Sequence, residues 1–481
     1  MLKIALAQLN VHPGDPRRNV QSMERCISQA KEQHCHIIVF PELSIPGYLI
    51  GDIWDQPDYI RECVRFGERI RALSDRITIF FGNVACDETR LNPDGRQRKY
   101  NALFVAQNGQ FIGPERSPYP YYIKTLMPNY REFSDTRYFT SLQQVSQERH
   151  LFPEDLISPI TLTFSGGQTL RVGPLICEDS WDDNYPFKPM QYLHDNYPLD
   201  VFINISNSPF TLGKTQRRHR LFGKSIGQFN VPALYVNCTG IQNNGKNIYT
   251  FDGASGAYGK DGSLHYECPL FHEELAILDF DETSHTFVSP QKQNPQEEEV
   301  ADICHSLQYG IRSFMENAGL SKVVLGVSGG IDSAVNAALY ASILPKENIL
   351  LVNMPSVYNS SMTKDLAQQL ADHIGCYYTV IPVQDSLELT RKQFREAPLL
   401  QNGEEKAIWH SPVSSKKISR PGTVPAVSWR RQRRLSAVSL RATPIKPNHL
   451  SAMRRSMATM PVSWPQQPIY GNIRFMHLPG I

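Results

Sequence analysis

At 481 residues the chain is too long for one hydrophobic core and reads as two or three domains, while a formal net charge of only +2 gives no global sign of a nucleic-acid partner. No run of about 18 uncharged apolar residues is present to span a membrane as a helix. The nine cysteines lack CxxC pairs and zinc-type Cys/His spacing, which argues against a disulfide framework or a cysteine-held metal.

In chain order, Met1–Gln8 shows no basic segment leading into an apolar run and a cleavage site, so it reads as the first strand of a cytoplasmic protein. Ile4–Leu9 and His36–Phe40 read as buried strands, with a helix over Val20–His34 between them. Further strands are expected at Ile77–Gly82, Ala102–Ala106, Leu170–Ile176, Val201–Ile205 and Ala233–Cys238, and a helix over Gly213–Gln228 bounded by Asn230. Strands alternating with helices predict an α/β layered domain over residues 1–285. Residues 286–299 read as a linker, because Ser289–Glu299 is proline-rich, polar and charged.

Beyond the linker, helices are expected at Val300–Ala318, Asp332–Ile343 and Thr363–Ile374, and strands at Lys322–Val327, Ile349–Met354 and Tyr378–Pro382. This β-α-β-α-β order predicts a partial, doubly wound parallel sheet over residues 300–394. Past Phe394 no helical or strand period continues. From Lys406 to Ile481 there is no Asp or Glu against thirteen Lys and Arg, which leaves −11 for residues 1–405. Residues 395–481 therefore read as a basic, irregular tail, and the abrupt loss of pattern and of acids points to out-of-frame translation. The competing reading is a basic nucleic-acid-binding tail, which would want interleaved aromatics that the segment lacks.

Three segments place a reactive side chain where an apolar run ends. Glu42 follows Phe40-Pro41 ahead of a Pro/Gly turn, Lys124 sits in Tyr122-Ile123-Lys124-Thr125, and Cys177 follows Leu175-Ile176 and precedes Glu178-Asp179-Ser180-Trp181. A thiol that attacks an amide carbon needs a base for its proton, and its thiolate and the ensuing oxyanion need a cation. Glu42, Lys124 and Cys177 supply those three chemistries. Singly, each has a plainer reading: a solvated carboxylate, a surface lysine and a core cysteine. No spacing rule joins them.

The segments resemble those of the nitrilase superfamily and, more narrowly, the glutaminase domain of glutamine-dependent NAD+ synthetases. Asn204-Ile205-Ser206-Asn207-Ser208-Pro209-Phe210-Thr211-Leu212-Gly213-Lys214 and Phe251-Asp252-Gly253-Ala254-Ser255 add to the match, which covers residues 1–285. The resemblance implies an αββα sandwich, a Glu42-Lys124-Cys177 triad, a thioester intermediate, and glutamine held by Tyr130, Glu178, Ser208 and Lys214. It also implies pairing of the chain into a homo-oligomer. Asn243-Asn244-Gly245-Lys246 departs from the acidic Gln-Asp-Glu of many relatives and is given no role.

Gly326, Val327, Ser328, Gly329, Gly330, Ile331, Asp332 and Ser333 lie between an expected strand and helix. Small residues there let backbone N–H groups curl around an anion, although no Lys follows the second Gly as Walker A requires. The string resembles the pyrophosphate loop of N-type ATP pyrophosphatases, of the adenine nucleotide alpha hydrolase-like fold. Met354-Pro355-Ser356-Val357-Tyr358-Asn359-Ser360-Ser361 resembles a neighbouring part of the same site. The resemblance implies ATP as co-substrate, Mg2+ held through Asp332, nicotinate adenine dinucleotide as the group amidated, and no tightly bound organic cofactor. Later segments of that domain in relatives find no counterpart past Phe394, so little or no NAD+ synthesis is expected. A stand-alone nitrilase-type amidase and an inactive binding protein are the competing readings.

Overall fold

A computed structural model describes residues 1–408 except 93–94, 116, 244–246, 295–298 and 356–360. The expected irregular tail past residue 408, the Ser356–Ser360 part of the second ATP-site segment, and Asn244-Gly245-Lys246 lie outside the described residues. The chain divides into two compact units between Ser313 and Phe314.

In the first unit, β1 (Leu2–Gln8) is followed by α1 (Pro16–Glu32), which starts ahead of its apolar period. Asp15 caps it by accepting from the Arg18 N–H, and Pro16 sits in the first turn, where a missing N–H costs nothing. Next come β2 (Ile37–Val39), α2 (Pro57–Ala72), β3 (Thr78–Leu91) and β4 (Gln97–Gln107). The pairings β1–β2 and β2–β3 are parallel and β3–β4 is antiparallel. The second sheet is built on β5 (Thr169–Ile176) and β6 (Val201–Ile205), then α3 (Lys214–Phe229) and β7 (Ala233–Val236), its three strands pairing in parallel. A separate hairpin, β8 (Thr239–Asn243) and β9 (Ile248–Asp252), forms a two-stranded sheet of its own. β10 (Glu274–Asp281) then returns to the first sheet, antiparallel to β1 with Leu278 opposite Ile4.

Alternation along the strands builds two cores. Ile4, Leu6, Val39 and Phe80 of one sheet cluster with Val172, Ile203, Ile205 and Val236 of the other. The intervening Ala5, Ile38 and Phe81 join Val20, Met23 and Ile27 of α1 and Ile60, Cys63 and Ile70 of α2, while Phe202 and Tyr235 join Phe222 and Ile226 of α3. The layers are therefore helix, sheet, sheet, helix, the expected αββα order. Glu42 follows β2 and Cys177 follows β5, so both come from the carboxyl ends of parallel strands.

Helix α4 (Glu299–Asn317) contains the division between the units. The second unit continues with β11 (Val323–Gly326), α5 (Ile331–Ala341), β12 (Ile349–Asn353), α6 (Ser361–Ile374) and β13 (Tyr377–Val380), a parallel sheet in the order β11-β12-β13. Two features were not anticipated: α7 (Gln384–Glu396), and an antiparallel hairpin of β14 (Pro398–Gln401) and β15 (Glu404–Ile408) where the period was expected to have ended. Asn402 (φ 55°) and Gly403 (φ 83°) make its two-residue turn, and Asn-Gly is a sequence signal for such a turn.

Candidate active site

The Glu42 carboxylate is wholly buried and accepts three hydrogen bonds. Asn101 Nδ2 and Lys124 Nζ each donate to Oε1 at 2.7 Å, and the Asn207 backbone N–H donates to Oε2 at 2.9 Å. Asn207 Nδ2 also donates to the Glu42 carbonyl at 2.9 Å, fixing the turn itself. β3 passes under this turn at Gly82, where an added Cβ would lie 2.1 Å from the Leu43 nitrogen and 2.5 Å from Glu42 Cα. Only glycine admits so close an approach.

Lys124 is equally buried, with Nζ 2.7 Å from Glu42 Oε1 and 2.9 Å from Asp135 Oδ2. The ammonium lies 5.5 Å from the centre of the Tyr48 ring, whose hydroxyl donates to the other Asp135 oxygen. Burial works against the ammonium, but the Asp135 and Glu42 carboxylates outweigh it and raise its pKa well above the ordinary value. Burial also lifts the Glu42 carboxyl above its usual range, against the pull of Lys124.

Cys177 opens a short 3-10 turn with φ 46°, the left-handed region that residues with side chains rarely adopt. Its carbonyl accepts from Ser180 Oγ at 3.0 Å and Asn204 Nδ2 at 3.2 Å. Buried Asp179 ties the two reactive segments together, accepting from the Leu126 N–H at 2.8 Å and the Ile176 N–H at 3.2 Å. Burial, then the Glu42 charge, push the Cys177 thiol upward, while Lys124 and Lys214 pull the other way. The upward shift favours the neutral thiol, a form that needs a base before it can attack.

Around these groups, Glu178 accepts from the Tyr130 hydroxyl at 3.1 Å on each oxygen and from the Tyr185 hydroxyl at 3.0 Å. Tyr130 is half exposed. Asn237 clasps Ser208, accepting its N–H at 2.8 Å and donating to its carbonyl at 3.2 Å. Lys214, at the start of α3, donates to the Pro209 carbonyl at 3.0 Å, and burial lowers its pKa. Glu42 and Lys124 are thus in contact, with Cys177 within the field of both. Asp135, Asn101, Asn207, Tyr48 and Asp179 had not been singled out. Asn207, Asp179 and Tyr48 lay inside or beside the singled-out segments, but their roles, like those of Asp135 and Asn101, depend on contacts between distant stretches of chain, for which one sequence holds no signal.

In the second unit, Val327–Gly330 turns from β11 into α5. Ser328 Oγ accepts from the Gly330 N–H at 3.3 Å, Ser333 Oγ donates to the Gly330 carbonyl at 2.8 Å, and Gly329 has φ 81°. Gly330, the N-cap, gives α5 no side-chain cap, so no capping side chain occupies its first N–H groups. Ile331 and Asp332 are exposed beside them. Among the described residues no group of three or more His, Cys, Asp or Glu is arranged to hold a metal. A single carboxylate such as Asp332 suits magnesium that arrives with nucleotide phosphates, not a resident ion in a protein cage.

A buried carboxylate, ammonium and thiol at the strand ends of a two-sheet sandwich are the equipment of a thiol-dependent amide hydrolase. The chain belongs to the carbon–nitrogen hydrolase family, whose model matches residues 3–286. A second model, NAD synthase, matches residues 303–410, past Phe394 and through the β14–β15 hairpin. A glutamine-dependent NAD(+) synthetase of Synechocystis sp. is 29% identical over 394 residues, covering 80% of this chain and 65% of the relative. One of Acinetobacter baylyi is 30% identical over 383 residues, covering 79% and 63%. The chain therefore spans a little under two thirds of the length of these relatives. The structure of the glutamine-dependent NAD+ synthetase from Acinetobacter baumannii in complex with ADP aligns at TM-score 0.67 and 27% identity, over 83% of this chain and 68% of that one. That from Cytophaga hutchinsonii shares the fold at TM-score 0.60 and 18% identity.

Proposed function

We propose that the chain hydrolyses the side-chain amide of glutamine and is built on the plan of a glutamine-dependent NAD+ synthetase, in which the ammonia serves an ATP-driven amidation of nicotinate adenine dinucleotide to NAD+, with that synthetase half defective in this chain. The observation that carries this reading is the pairing on one chain of a carbon–nitrogen hydrolase match over residues 3–286 with an NAD synthase match over residues 303–410. The relatives matched over about 80% of this chain are glutamine-dependent NAD(+) synthetases.

Glu42 takes the Cys177 proton as sulfur attacks the amide carbon, and Lys124, with a backbone N–H beside Cys177, stabilises the oxyanion. The protonated Glu42 then gives its proton to the leaving ammonia, and a thioester remains. Water enters, Glu42 takes its proton, and glutamate leaves as the thiol is restored. Glu178 would meet the substrate ammonium, with Tyr130, Ser208 and Lys214 holding the remaining polar groups. In the second unit, residues 326–333 would cradle ATP phosphates, and Asp332 would hold magnesium, which would supply positive charge against the phosphates. Attack of the dinucleotide carboxylate on ATP releases pyrophosphate, and ammonia then displaces AMP. The proposed division is a glutaminase over 1–285, a linker over 286–299 and a nucleotide-binding domain from 300, although Thr286 and Phe287 pair with Asp281 and Phe280 and the compact first unit runs on to Ser313. The proposed setting is the cytoplasm, as a homo-oligomer.

The test incubates the full chain with glutamine, ATP, magnesium and nicotinate adenine dinucleotide, measuring glutamate and NAD+ separately. Glutamate without NAD+, abolished by Cys177→Ala, is the expected result. Absence of glutamate would sink the glutaminase reading, and formation of NAD+ would overturn the reading of the chain's end as out of frame, a reading that the family match to residue 410 already restricts to the residues after it.

A further inference from the structure

Gln242 lies on β8, in the hairpin outside both sandwich sheets, yet it is 1% exposed and each of its side-chain polar atoms is engaged. Its Oε1 accepts from the Tyr48 and Leu49 N–H groups, both at 2.9 Å, in the loop that descends from Glu42. Its Nε2 donates to Asn207 Oδ1 at 2.8 Å, an oxygen that also receives the Cys238 thiol at 3.1 Å. Asn207 in turn holds Glu42 by its carboxylate and its carbonyl. Tyr48 donates to Asp135, Asp135 holds Lys124, and Lys124 holds Glu42. The contacts close into a ring of six residues, all 4% exposed or less, with the links at Tyr48 and Asn207 running partly through backbone groups: Glu42, Asn207, Gln242, Tyr48, Asp135 and Lys124.

We propose that Gln242 is a positioning residue for the general base, joining the two arms that orient Glu42, one through Asn207 and one through Tyr48, Asp135 and Lys124. A buried amide suits this task, because one group accepts from two backbone N–H donors while giving a proton to Asn207 Oδ1. Loss of that donation frees Asn207, and with it the N–H that sets Glu42 Oε2. The direction of the base toward Cys177 is therefore fixed partly by the seating of the β8–β9 hairpin. The proposal rests on the reading of Glu42 as the base of a thiol amidase.

Gln242→Glu in the full chain keeps the length and the acceptor facing Tyr48 and Leu49 but turns an oxygen toward Asn207 Oδ1. Gln242→Met removes both links at similar volume. Each variant is compared with the parent in kcat and KM for glutamine, in the acid limb of kcat/KM, in melting temperature, and in the pH dependence of iodoacetamide alkylation of Cys177, read on its peptide by mass. The expected result is a kcat lower by roughly 10–100-fold, with KM for glutamine within about twofold of the parent. The acid limb and the alkylation profile should both move to higher pH, because Glu42 loses a donor that favours its ionised form. Unchanged kcat and profiles in Gln242→Glu, or a fall in melting temperature with no movement of either profile, would overturn the proposal. Glu42→Gln separates the two levels. If it leaves the alkylation profile of the parent unchanged, the base assignment fails; if it moves that profile and Gln242→Glu does not, the role given to Gln242 fails.

Discussion

Two carboxylates, Glu42 and Asp135, share one ammonium, Lys124, with all three groups out of contact with water. Removing the cation leaves two buried anions facing each other, whereas removing Asp135 leaves a matched pair. Lys124→Met should therefore cost about 3–5 kcal/mol, and Asp135→Asn distinctly less, which denaturant melts of the two variants would rank. Equal losses would mean that the ammonium is not the shared counter-ion. The same arrangement sets the pH response. Glu42 is raised above the usual carboxylate range by burial and, after Lys124 pulls it down, by the Asp135 charge. In its proposed role as base it must be ionised, so amide hydrolysis should fall as pH drops through its raised pKa. Asp135→Asn removes a neighbouring anion, favours ionisation, and should move the acid limb to lower pH, opposite to the Gln242 variants. Of this constellation, Glu42, Lys124 and Cys177 could be named from the sequence because each ends an apolar run inside a recognisable segment. Asp135 could not, since its role exists only after the loop past Lys124 folds back through a Tyr48 hydroxyl and a Lys124 amine.

At the scale of elements, the Glu42 carboxylate is positioned as much by what passes beneath it as by its own strand. Gly82 on β3 supports the Glu42 turn with no room for a methyl group, and the nearest atoms are backbone, which cannot swing aside. Gly82→Ala should displace the turn, cost about 1–3 kcal/mol by overpacking, and lower glutamine hydrolysis by roughly 100-fold. A variant with full activity would show that the turn can shift without moving the carboxylate. The strands that carry the site were legible because they are continuous apolar runs; Val201–Ile205 was read to the residue. β3 runs on to Leu91, beyond the expected Gly82: Asn83 interrupts the apolar run, Val84 and Ala85 return to the core, and the strand goes on pairing with β4 past Asp87. α2 went unread although Pro57 marks its start and Ile60, Cys63, Phe66 and Ile70 follow at helical spacing, set among charged residues on the opposite side. The β14–β15 hairpin was missed where composition was weighed ahead of the Asn402-Gly403 turn signal.

At the scale of the whole molecule, the two units differ in how completely their apolar residues are covered. Both large core clusters belong to the first unit, where two sheets and flanking helices enclose them. The second has buried residues such as Leu325, Tyr340 and Leu351, but Ile331 is 71% exposed, Tyr377 63% and Leu389 57%. Three parallel strands with two crossover helices bury little on each side, and β13 carries exposed Val380 at the edge of the sheet. Burial of apolar surface is the main favourable term in folding, so the second unit should open at lower free energy than the first. Limited proteolysis of the full chain should therefore cut first after Ser313 and leave a resistant fragment within residues 1–313. Because that fragment holds Glu42, Lys124, Cys177 and the whole ring through Gln242, glutamate release should survive the cut. Mass spectrometry of the digest, with the glutaminase assay run on the same samples, checks both statements. First cuts inside residues 1–285, or activity lost in step with the second unit, would mean that the amidase site draws its stability from the chain beyond it.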